Sequence, residues 1–149
     1  MIVASDFLSQ AYWLLNQTNP SESYCRSAIS RAYYSLYHEA LTHLRDKYKD
    51  QVLVTIKSFT VGKRYINPND HENKIKELNA DYILELGLSF HRIIPIVLRS
   101  INYDYFLEFK QHRKKRNNAD YNLDLTITKK YAKAEVESIS NLIAAIKNL

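Results

Sequence analysis

Residues 21–47 read "SESYCRSAISRAYYSLYHEALTHLRDK" and decide the fold. Cys25, Ile29, Ala32, Leu36, Ala40 and Leu44 recur at spacings of three and four, the signature of one helix face turned to a core. Pro20 and Ser21 stand where a helix start wants them. At about 100° per residue, Arg31 and His38 project to about 200° and 180° from Ile29, opposite the stripe. They are two turns apart in one polar row that Arg45 extends. Tyr33 and Tyr37 fall on the flank of the stripe. The row is either a solvated surface or a face turned to a second chain or a ligand groove, with His38 and Arg31 as its chemical groups.

Outward from this helix the chain stays helical. Two glycines and three prolines in 149 residues are too few for a fold of hairpins and tight turns. A first helix is expected over residues 5–17, with Phe7, Leu8, Ala11, Leu14 and Leu15 inward. Residues 49–70 show β-branched residues without clean alternation and read as a loop with a short helical piece. A helix start follows, with Asn69 or Asp70 as cap and Glu72 in the first turn. Another helix is expected over residues 82–91, with a break or kink at Pro95. A long helix then runs from Ile96 to Tyr121. Thr128 caps the last, residues 129–147, with Tyr131, Ala132, Val136, Ile139, Ile143 and Ile146 inward. The expectation is an all-α protein of one domain, residues 1–149, an up-and-down bundle of about five or six helices.

The net charge is +5, from 21 basic and 16 acidic residues. Lys110, Arg113, Lys114, Lys115 and Arg116 crowd into seven positions with His112 among them. Such a run is a solvated helix face or a contact for nucleic acid or an acidic partner. Arg116 and Asp120, four apart, form an ion pair along the helix. One cysteine, Cys25, excludes an intrachain disulfide and a multi-cysteine zinc site, and fits a small buried apolar position. No metal motif or glycine-rich phosphate loop is present, so no metal or cofactor is expected. The N-terminus lacks a signal-peptide pattern, and no apolar stretch reaches the ~20 residues of a membrane span, so a cytoplasmic location is expected.

The stretches "SAISRAYYSLYHEA", "HENKIKEL" and "RNNADYNLD", the last followed by a threonine-started helix, together resemble the HEPN domain (higher eukaryotes and prokaryotes nucleotide-binding). The resemblance covers most of the chain, and the two arginine-bearing motifs stand 85 residues apart. It is strongest to the branch encoded beside a minimal nucleotidyltransferase. It implies a helical bundle that forms a homodimer, an RNA or nucleotide ligand, and a place in a toxin–antitoxin or defence-type system. In active members an arginine, with a histidine about four to six residues later, forms a metal-independent endoribonuclease site, the histidine moving protons and the arginine holding the phosphorane.

Carried onto Arg116, the histidine position falls on Asp120, Tyr121 or Asn122, none of them histidine. A tyrosine, with pKa near about 10, is a poor base at neutral pH. A histidine must then arrive from elsewhere, with His38, His71 and His112 as candidates. Arg31 and Arg116 are expected at one shared groove. Arg31, Arg113, Lys114, Arg116, Asp120 and Tyr121 form the expected anion-binding set. The resemblance also makes Tyr121 the first candidate for adenylylation by the nucleotidyltransferase partner. A non-catalytic binding module and a purely structural helical subunit remain the alternatives.

Overall fold

The computed structural model of the protein describes residues 1–60 and 68–149, with the backbone alone for residues 68–70 and 72. The described residues form eight helices and no strand. These are α1 (Ala4–Leu15), α2 (Glu22–Lys47), α3 (Lys49–Thr60), α4 (Pro68–Lys76), α5 (Ala80–Glu85), α6 (Phe90–Ile101), α7 (Tyr103–Tyr121) and α8 (Lys129–Lys147). α4 begins at Pro68, so Asn69 and Asp70 stand inside the helix rather than at its cap. Residues 61–67 and the Glu72 side chain lie outside the described residues.

The long second helix is the axis of the bundle. It packs against α1, α3, α6, α7 and α8. All six residues of its expected stripe are buried, as are Ala28, Tyr33 and Ser35. The extra width follows from neighbours on several sides, since a central helix buries more than one face. Ser21 caps it by accepting from the Tyr24 amide at 3.2 Å. Cys25 is buried, as expected. The last helix is capped by Thr128, which accepts from Tyr131 N at 3.1 Å. Its expected face is buried except Tyr131, which is exposed.

The middle of the chain differs from the sequence reading. Residues 49–60, read as part of a loop with a short helical piece, are helix throughout, because Val52 and Ile56, one turn apart, are buried in a contact with α6 and α2. Here tertiary burial overrides the weak local preference of β-branched residues. The helix expected over residues 82–91 ends instead at Glu85. Gly87 follows with φ +73, a left-handed conformation that glycine adopts freely and that closes a helix end.

Pro95 does not break the chain. It lies buried inside α6, and the break falls at Asn102. There the backbone is extended, and the Asn102 side chain caps α7 by accepting from Tyr105 N at 3.1 Å. Proline removes one helical hydrogen bond, the one to the carbonyl of His91 four residues back. That carbonyl is satisfied from α7 instead: Arg113 Nη1 donates to it at 3.2 Å. So α6 passes through its proline intact.

Arg26 fixes the join between α7 and α8. Its Nη1 donates to the carbonyls of Asn118 at 3.3 Å, Ala119 at 2.9 Å and Asn122 at 3.1 Å, and its Nη2 to Leu125. Of these, the Ala119 carbonyl lies in the last turn of α7, where carbonyls run out of helical partners. Those of Asn118 and Asn122 also accept from Asn122 N at 3.0 Å and Leu125 N at 3.3 Å. Glu22 holds Arg26 at 2.9 Å and accepts from Ile127 N at 3.1 Å. The Ile127 bond, then Arg26, hold the Glu22 carboxyl below its usual pKa.

Candidate functional site

The two motif stretches meet where α7 crosses α2. Arg116, 11% exposed, lies with its guanidinium carbon 4.9 Å from the centroid of the Tyr33 ring and 5.7 Å from that of Tyr34. Asp120, one turn on, pairs with Arg116 Nη1 at 3.4 Å, as the spacing predicts. Asp120 also accepts from Ser30 Oγ at 3.3 Å. Arg116 Nε is buried without a hydrogen-bond partner among the described residues.

Beside this crossing lies an open groove of about 670 Å³, lined by residues that include Arg26, Ser27, Ser30, Arg31, Tyr34 and Asp120. Arg31 is exposed on its wall. Arg116 does not line the groove and reaches it only through Asp120 and Tyr34, which do. The expected shared groove is thus open to one arginine and backed by the other.

His38 is elsewhere. It stacks on Phe7 of α1 at 5.6 Å and meets Tyr37 edge-on at 4.9 Å. It lines a second cavity, of about 570 Å³, with Phe7, Glu39 and Thr42 among others. The face opposite the α2 stripe is therefore not a free polar row, because α1 covers its His38 end.

His112 points away from the groove as well. It is buried against Glu135 of α8, with Nδ1 on the carboxylate. His71 bonds Tyr82 and Thr60, far from α7 in the chain's packing. None of the three histidines named from the sequence lines the groove.

A fourth histidine does reach the arginines. His91 of α6 stacks on Tyr37 at 3.9 Å between centroids, and its Nδ1 lies 3.1 Å from Tyr33 Oη. Its Nε2 makes no hydrogen bond among the described residues. Burial, then the positive charges of Arg113 and Arg116, push its pKa down to about 4. Burial likewise pushes Tyr33 up to about 12, against the pull of the two arginines. At neutral pH the pair is therefore a neutral imidazole and a neutral phenol. Sequence reasoning missed His91 because it stands on a third helix. The one available signal is Pro95, which four residues later frees the His91 carbonyl for a cation.

The rings close on themselves. Arg116 caps Tyr33 and Tyr34, Tyr34 meets Phe7 at 6.0 Å, Phe7 meets His38, and Tyr37 joins His38 to His91. His91 returns to Tyr33 at 6.0 Å. "RAYYSLYH" thus supplies four members of one aromatic belt under the cation.

The basic run is mostly consumed inside the fold. Lys110 lies over Phe106 at 5.2 Å, Arg113 binds the His91 carbonyl, Lys115 pairs with Glu135 at 3.0 Å, and Arg116 holds Asp120. Three neighbouring helices and the helix itself share the cations out, so they form no single patch. Lys114 is exposed, and neither it nor Tyr121, 75% exposed, lines the groove. Among the described residues no cluster of His, Cys, Asp and Glu is arranged to hold a metal, and no helix is long and apolar enough to cross a membrane.

No family model, curated protein or solved structure matches the chain.

Proposed function

We infer that the protein is a HEPN-type helical module that binds a phosphate group of an RNA or nucleotide in the α2–α7 groove. Arg31 is the open cation, and Arg116 sets the wall by clamping Asp120 and Tyr34. What supports this reading is that the two stretches carrying the resemblance, 85 residues apart, touch each other: Arg116 sits over Tyr33 and Tyr34, and Asp120 bonds Ser30. The groove holds both charges, so it selects a ligand with an anion and hydrogen-bond donors together, as a nucleotide has. Fluorescence anisotropy with a short single-stranded RNA and with a labelled nucleoside triphosphate tests it. Binding at low salt should weaken roughly tenfold in Arg31→Ala, the loss of one charge-assisted contact. Absence of binding, or equal affinity in that variant, would refute it.

One observation favours a second reading, a metal-independent endoribonuclease. His91 offers an unpartnered Nε2 beside Arg113 and Arg116. Its pKa of about 4 lies well below the range where a base near pH 7 works best, which is why binding stands first. RNA cleavage in EDTA that is lost in both His91→Ala and Arg116→Ala, and kept in His38→Ala, would establish it.

The resemblance also implies a homodimer and a minimal nucleotidyltransferase partner in a toxin–antitoxin or defence-type system. Tyr121 is open to modification by such a partner. Co-expression followed by mass spectrometry should place adenylyl groups there, and modification confined to other residues would exclude Tyr121.

A further inference from the structure

The α7–α8 contact buries two polar side chains that the groove does not use. His112 and Glu135 are each 3% exposed. His112 Nδ1 meets Glu135 Oε1, and Lys115 Nζ holds Glu135 Oε2 at 3.0 Å. On the other edge of the imidazole, His112 Nε2 lies 3.5 Å from Ser138 Oγ. Glu135 and Ser138 are three apart on α8, so both face α7. Ser138 is itself exposed.

The partners of Glu135 set its charge. Burial alone would raise the Glu135 carboxyl, but His112 and then Lys115 outweigh it and hold it below its usual pKa. In the neutral imidazole the Nδ1 N–H donates to the ionised Glu135, which leaves the lone pair on Nε2. That lone pair faces the Ser138 hydroxyl. Carboxylate, imidazole and hydroxyl in this order activate an otherwise weak nucleophile. Two apolar residues would join α7 to α8 with less desolvation, so burial of the pair is not explained by packing alone.

We propose that Ser138 is an activated nucleophile, the site at which this protein takes a covalent group from a small phosphoryl electrophile. Ser138 Oγ bonds to phosphorus and the leaving group departs with its electron pair. The Oγ proton passes to His112 Nε2, and Glu135 balances the imidazolium. Ser138 lies inside a helix whose backbone N–H groups are already bonded, so neither displacement finds backbone donors for its developing charge, and only an electrophile with a good leaving group reacts. The adduct offers only the poorer Ser138 alkoxide as leaving group, so it persists, and Ser138 is a modification site rather than a turnover centre.

A fluorophosphonate reagent is the probe, with fluoride as leaving group and peptide mass spectrometry as readout. Ser9 of α1 is exposed, bonds to no histidine, and serves as internal reference. Ser138 should label at least about 10²-fold faster than Ser9, the size of a general-base contribution. Ser138→Ala should lose the adduct, and Glu135→Gln should slow it by a similar factor, with circular dichroism confirming the fold. If Glu135→Gln unfolds, the ratio of Ser138 to Ser9 in the unsubstituted protein decides alone. No adduct at Ser138, labelling no faster than at Ser9, or an unchanged rate in folded Glu135→Gln overturns the proposal.

Discussion

Arg113 on α7 donates to the backbone carbonyl of His91 on α6 at 3.2 Å, and that carbonyl is free because Pro95 follows it by four residues. The proline and the arginine are thus a compensating pair on different helices. Arg113→Ala leaves a carbonyl without its donor and should cost about 1–3 kcal/mol. In a Pro95→Ala background a helical N–H returns, and the same change should cost about 1 kcal/mol less. Urea denaturation of the four proteins gives the coupling. Strict additivity would break the link.

The bond between Arg26 and the end of α7 makes a second prediction. One guanidinium serves four carbonyls and Glu22. Arg26→Ala should lower stability by about 3 kcal/mol, in the range for charged hydrogen bonds. Arg26→Lys should recover less than half, because an ammonium cannot span the same fork. Denaturant midpoints at constant slope would measure both.

Arg116→Ala should cost about 2 kcal/mol through its two aromatic faces, while Asp120→Ala should cost less than about 1 kcal/mol, since the i,i+4 contact is a single long one at 3.4 Å and its carboxylate is 24% exposed. Equal losses would mean that the ion pair, not the ring contact, holds the crossing.

His91 sets a pH dependence. Its pKa is about 4 in the fold against 6.5 in its ordinary state, burial being the first cause. Between these values the unfolded chain binds a proton that the fold does not, so stability rises with pH. The contribution is complete above 6.5 and is lost as pH falls toward 4. His91→Gln should flatten that part of the curve. An equally steep loss in the variant would assign it to other groups.

Much of the fold was legible in the residues themselves. The six-residue stripe of α2, the face of α8 and the caps at Ser21 and Thr128 all depend on spacings within one helix, and the backbone imposes those spacings whatever lies outside. The same holds for Arg116 and Asp120, four apart on one surface.

The site was legible only in part. Periodicity says which side chains share a face, but not which helix will stand opposite. His38 was visible as a polar position and became a partner of Phe7 because α1 packs there. His112 and Arg116 are four apart, yet one finds α8 and the other α2. The basic run looked like one patch until three helices each took a cation. Pro95 looked like a break, and only Arg113 from another helix lets α6 continue. The sequence alone determined an all-helical chain with a buried second helix, because those features rest on local geometry. The tertiary structure alone decided that His91 meets the arginines, because that contact joins three helices and no local spacing carries it.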